Sequence, residues 1–176
     1  MHILTPDAEF EKHVIAMSDK SILWRGTFLE KITFLERTFD WYLATYFCNT
    51  EEKAGELIHL IISNDRITYE SKRQVLLVLI NKHEPTFKAQ FPKYAKELQE
   101  INEFRNILAH YMLDTTPDGV TKFVDTGNLR YMKFKNDISF LEYSDSQYHE
   151  ILDLVKIYIE GFGLLITLIN KGINFK

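Results

Sequence analysis

The chain has 176 residues, enough for one domain with a hydrophobic core. Hydrophobic residues make up 45% and charged residues 26%, an ordinary globular balance. The formal charge is -4 and the pI about 5.9, which excludes a globally basic nucleic-acid binder, so RNA contact would need a local basic patch.

Cys48 is the single cysteine, which rules out an internal disulfide and a cysteine-built zinc site and suits a reducing cytosol. Met1 to Asp7 lacks a basic region followed by an apolar stretch, so no signal peptide is expected. The longest apolar run, Phe162 to Ile169, is too short to span a bilayer. A soluble, cytoplasmic protein is the expectation. Gly and Pro are few, seven and four, which favours long helices.

In chain order, Thr5-Pro6-Asp7 reads as the start of a short helix ending near Met17. Ser21 to Phe47 carries apolar residues at spacings of three and four, among them Ile22, Phe28, Leu29, Ile32, Leu35, Phe39, Tyr42 and Tyr46. That predicts a long second helix with Gly26 as a weak point. Thr50 can cap a third helix beginning Glu51-Glu52 and carrying Leu57, Ile58, Leu60, Ile61 and Ile62. Ser63-Asn64-Asp65 is a turn, and a fourth helix from about Tyr69 to Asn81 buries Val75, Leu76, Val78 and Leu79.

Lys82 to Lys93, with Pro85 and Pro92, is expected to be a loop. A fifth helix then covers about Tyr94 to Leu113, and Thr115-Thr116-Pro117-Asp118-Gly119 breaks it. Three short β-prone stretches follow, at Val120–Val124, Leu129–Phe134 and Ile138–Tyr143. Turn-like Thr126-Gly127-Asn128 and Asn136-Asp137 link them into a small antiparallel meander. Ser144-Asp145 caps a last helix from about Gln147 to Asn170. The predicted fold class is all-α: one helical bundle of about five or six helices over 1–176, with a β insertion at 120–143 before the last helix.

On the fifth helix, Arg105-Asn106-Ile107-Leu108-Ala109-His110 puts a permanent cation, a carboxamide and an imidazole within six residues. At roughly 100° per residue, Leu98, Ile101, Phe104, Leu108 and Met112 form one apolar stripe, and Asn102, Asn106 and His110 lie along another face. Arg105 and His110 stand about 140° apart, flanking Asn106 and the small Ala109. They diverge too far to form a compact site alone, but both can flank a seam against a two-fold partner. Arg can hold phosphate oxygens and stabilise charge on phosphorus, His can move a proton near neutral pH, and Asn can orient either. In RNA the 2′-hydroxyl is a built-in nucleophile, so these groups could suffice without a metal.

This motif, on a late helix of an all-α bundle, resembles the Arg, polar residue, three residues, His signature of HEPN domains. Phe34-Leu35-Glu36-Arg37 leading to Tyr46-Phe47 is similar to HEPN helices as well. The resemblance implies a metal-independent endoribonuclease without cofactors, acting as a homodimer with one composite site. It assigns Arg105, Asn106 and His110 as catalytic. HEPN proteins serve as toxins, phage-defence effectors or RNA-processing enzymes, so an antitoxin or a defence-system partner is implied too. One HEPN toxin group places Tyr two residues after the His; here Met112 stands there and Tyr111 is adjacent.

Glu36 and Asp40, one turn apart, could form a paired acid/base or metal site. The simpler expectation is an ion pair, for instance Glu36 with Arg105, which makes Glu36 a supporting residue alongside Asn102. Lys122, Arg130, Lys133 and Lys135, interleaved with Phe123, Tyr131 and Phe134, could grip single-stranded RNA by charge and stacking. A solvated sheet face is the competing reading. Lys72 and Arg73 could reach a phosphate or simply be exposed charge. His2, His13, His59, His83 and His149 show no metal-ligand spacing, and His59 is expected to be packed or at the rim. Gly161 and Gly163 resemble a close-packing site. Two other functional readings stay open: a non-catalytic module of the same fold that binds RNA or protein, and an unrelated monomeric helical protein.

Overall fold

The computed structural model describes residues 7–64, 66–134 and 137–172. Thr5, Pro6, His2, Asp65, Lys135 and Asn136, which carried sequence expectations, lie outside the described residues. Seven α-helices occur among the described residues: α1 Ala8–Phe47, α2 Glu51–Leu57, α3 Tyr69–His83, α4 Pro85–Gln90, α5 Tyr94–His110, α6 Pro117–Thr126 and α7 Asp145–Asn170. Three strands, β1 Met112–Leu113, β2 Leu129–Phe134 and β3 Ile138–Tyr143, form an antiparallel sheet in the order β1-β2-β3 before the last helix. The all-α class with a small sheet is therefore observed. Among the described residues no helix is long and apolar enough to cross a membrane.

The chain falls into two compact units. The residues up to Leu29 together with Phe104–Leu152 form one, and Glu30–Glu103 with the residues from Asp153 onward form the other. In the first unit Trp24 stacks on Tyr148 at 4.3 Å between ring centroids, and Phe104 meets Phe28 edge-on at 4.9 Å and Tyr143 at 4.8 Å. In the second, Phe162 is the hub, 5.0 Å from Phe39, 5.0 Å from Phe87 and 5.6 Å from Tyr42. There the buried phenols of Tyr42 and Tyr158 donate to Glu84 and Glu97.

One helix, α1, replaces the two expected before Phe47. Its buried positions continue through the predicted gap at three- and four-residue spacing, as Met17, Ser21, Trp24 and Phe28 and then Ile32, Leu35, Phe39 and Tyr42. No proline interrupts this stretch, and Gly26 is exposed with no neighbour a Cβ would meet, so neither breaks the helix. Thr50 caps α2 as expected, its side chain accepting from the Lys53 N–H at 3.3 Å. The rest of the expected third helix, Ile58–Ile62, is a π-helical turn that buries Ile58 and Ile62 and exposes Leu60 and Ile61. On α3, Leu76 and Leu79 are buried as expected, whereas Val75 and Val78 are exposed and Ile80 takes their place.

Elsewhere the breaker residues act as starts. Pro85 opens α4 inside the expected loop. Thr116 accepts from the Gly119 N–H at 3.3 Å and Pro117 takes the first turn of α6, so Val120–Val124 is helical. Gly127, at φ 72°, closes that helix in the left-handed region. The sheet takes its third strand from Met112–Leu113 instead, which ends α5 at His110. Ser144 Oγ accepts from the Gln147 N–H at 3.2 Å and starts α7 as predicted. On α7 a Cβ at Gly161 would lie 3.2 Å from Phe87 and Phe91, the expected close packing, while Gly163 has no neighbour within 4 Å.

Candidate functional site

The motif occupies the last six residues of α5, in the first unit. Ile107 and Leu108 are buried and anchor that turn, which leaves Arg105, Asn106 and Ala109 half-buried and His110 exposed. Arg105 Nη1 donates to Asn106 Oδ1 at 3.1 Å. Among the described residues Arg105 has no carboxylate within ion-pair distance. The guanidinium is therefore oriented by a neutral carboxamide, with donors left for an anion. Met112, expected on the apolar stripe of this helix, is instead exposed on β1.

The end of α5 is held by a residue with no motif to mark it. Arg25, on α1, donates from Nη1 to the Leu108 carbonyl at 2.5 Å and from Nη2 to the Tyr111 carbonyl at 2.6 Å. Its Nε donates to Ser21 Oγ at 3.2 Å, and its guanidinium lies over the Tyr131 ring, 5.3 Å from the centroid. The spacing of Ser21 and Arg25 by one turn was the only sequence hint.

The expected basic set separates into two groups. Arg130 is buried, bonded through Nε to Asp114 Oδ2 at 2.5 Å and through Nη2 to Asp118 Oδ2 at 2.6 Å. Asp114 is fully buried, and a Cβ on Gly119 would collide with its carbonyl oxygen, so any larger residue there must displace the backbone. Arg130 is thus a structural cation and not an RNA contact. Lys122 is exposed, but on α6 and not on the sheet. Lys133 is half-buried on β2, its Nζ 5.9 Å from the centroid of Tyr111, the residue after His110. Tyr131 is buried and Phe134 exposed.

Glu36, Asn102, Lys72 and Arg73 belong to the second unit. Glu36 is half-buried, and Asn102 donates to Glu70 Oε2 at 3.4 Å. Lys72 and Arg73 are buried at 6% and 7% exposure, which overturns both a phosphate role and exposed charge for them. Lys72 Nζ pairs with Asp40 Oδ1 at 2.7 Å beside an apolar cavity of about 320 Å³ lined by Leu43, Phe47, Ile62 and Val75. Burial pushes the Asp40 carboxyl above its ordinary range, with Lys72 pulling the other way. Arg73 bonds both oxygens of Glu70, at 2.8 and 2.7 Å. That pairing holds Glu70 below the usual carboxylate range. His59, expected to be packed or at a rim, is exposed on the π-helical turn. No family model, curated protein or solved structure matches the chain.

Proposed function

We propose that the chain is a metal-independent endoribonuclease of HEPN type that works as a homodimer. The observation that carries this reading is the motif at the end of α5, where Arg105 has no carboxylate partner among the described residues and His110 stands exposed. Arg73 and Arg130, by contrast, are each paired with a carboxylate. In the proposed reaction the 2′-oxygen attacks the adjacent phosphorus, the bond to the 5′-oxygen breaks, and a 2′,3′-cyclic phosphate forms. One His110 takes the 2′-hydroxyl proton and His110 of the partner subunit gives one to the leaving oxygen. Arg105 stabilises the charge on the pentacoordinate phosphorus and Asn106 orients Arg105.

The biological setting that fits is a cytoplasmic toxin-antitoxin or phage-defence system, in which a partner protein would restrain the activity. A second reading, a non-catalytic HEPN-like module binding RNA or protein, gains from the loss of Lys72, Arg73 and Arg130 as free cations. Incubation of RNA with the protein in EDTA separates the two. Cleavage by the wild type that disappears in His110→Ala supports the enzyme. RNA binding with no cyclic-phosphate product supports the module. Full cleavage by His110→Ala would remove His110 from the chemistry.

A further inference from the structure

The last carbonyls of a helix have no partner within it and fray unless something accepts the task of holding them. For α5 the usual device is absent. Tyr111 alone separates the helix from β1, and no non-glycine residue among those described has positive φ, so no left-handed cap closes this end. The guanidinium of Arg25 takes that place.

We propose that Arg25 is a positioning residue for His110. The two carbonyls it grips, of Leu108 and Tyr111, bracket Ala109 and His110, so the backbone that carries the imidazole is pinned on both sides. The clamp is itself fixed, by Ser21 Oγ at Nε and by the face of Tyr131, whose hydroxyl lies 3.3 Å from Ser21 Oγ. Downstream the chain is held by the pairing of Met112 with Met132 and by the Asp114 N–H on the Arg130 carbonyl at 2.8 Å. His110 is thereby an exposed side chain on an immobilised backbone. Proton transfer needs that combination, because access is open and a displacement of about 1 Å can cost on the order of a hundredfold in rate. Two diverging donors on one rigid plane require arginine, since a lysine ammonium on a flexible stem cannot reproduce the fork.

The catalytic consequence rests on the ribonuclease reading, while the clamp itself does not, and the experiment reads them separately. Full-length wild type, Arg25→Lys and Arg25→Ala are compared by histidine and amide NMR and by RNA cleavage in EDTA, with melting curves to establish that each variant is folded. The expected result is faster amide exchange at the end of α5, by about tenfold or more for Tyr111 in both variants. The His110 imidazole signals should shift while those of His13 and His83 stay. In cleavage, kcat falls about tenfold or more with KM nearly unchanged, and guanidinium added to Arg25→Ala restores part of the loss. Unchanged His110 signals and Tyr111 exchange in both folded variants would overturn the clamp. Wild-type kcat in both would overturn the positioning role and leave the ribonuclease reading standing. If the wild type cleaves no RNA, the ribonuclease reading falls, and the NMR comparison alone decides whether Arg25 holds His110.

Discussion

Arg105 donates from Nη1 to the side-chain oxygen of its own neighbour, Asn106, at 3.1 Å. A hydrogen bond from a charged donor contributes about 1.5–3 kcal/mol. Asn106→Ala should therefore lower RNA cleavage by roughly tenfold or more by freeing the guanidinium. Because Asn106 is half-buried, urea denaturation should find the variant at most about 1.5–3 kcal/mol below wild type, the worth of that one bond. A larger loss of stability would mean that the carboxamide is a packing element and not an orienting one.

Asp114 and Arg130 are a buried pair, closed over by Gly119. Removing one partner leaves an uncompensated buried charge, so Asp114→Ala should cost about 3–5 kcal/mol, softened only as far as the exposed Asp118 can compensate. Gly119→Ala should cost about 1–3 kcal/mol by forcing the backbone away from the Asp114 carbonyl. Equilibrium denaturation of the two variants checks both values. Wild-type stability of Gly119→Ala would show that the corner yields without strain.

Asp40 and Lys72 predict a pH dependence with a definite sign. The folded Asp40 carboxyl titrates above its ordinary value of 3.8, chiefly through burial, so the native state binds that proton more tightly. Its contribution to stability is present below the unfolded value and is lost as pH rises through the folded one. Glu84 carries the same sign, also through burial, while Glu70 and Asp118 carry the opposite one. Asp40→Asn alone strands Lys72 and should cost about 3–5 kcal/mol. The double change Asp40→Leu, Lys72→Met should be neutral or up to about 4 kcal/mol stabilising, and should make stability fall less between pH 4 and 7. Denaturation across that range is the measurement, and an unchanged slope would exonerate Asp40.

With Arg130, Lys72 and Arg73 committed internally, the described cations expected to meet RNA reduce to Lys122 and Lys133. Replacing each by Gln should weaken RNA binding and lower the salt-dependence slope by about one for every phosphate left without its cation. Binding isotherms at several salt concentrations, run on the His110→Ala background, provide the test. Unaltered slopes would place the nucleic acid on another surface.

The helical class, the cap at Thr50, the start of α7 and strands β2 and β3 were legible because each rests on local chemistry within a few residues. Thr116-Pro117-Asp118 was misread because a cap followed by Pro both ends one helix and begins another, and the β-branched Val120 and Val124 then favoured strand. Two residues of β1 carry no periodicity, and their pairing with β2 is set by partners far along the chain. Within the site, Arg105, Asn106 and His110 announced themselves by spacing. Arg25 and the neutralisation of Arg130 depend on contacts across more than ten residues, which no local pattern encodes.

Burial lifts the phenol of Tyr42, and likewise those of Tyr94, Tyr131, Tyr148 and Tyr158, above its ordinary range. The hydroxyls of Tyr42 and Tyr158 are additionally tied to carboxylates, which oppose a second negative charge. In alkali these rings will keep their protons until the chain opens. The rise in ultraviolet absorbance that marks tyrosinate should therefore include an abrupt stage from these five, coincident with unfolding. The abrupt stage is a dye-free record of unfolding written into the protein's own chromophores.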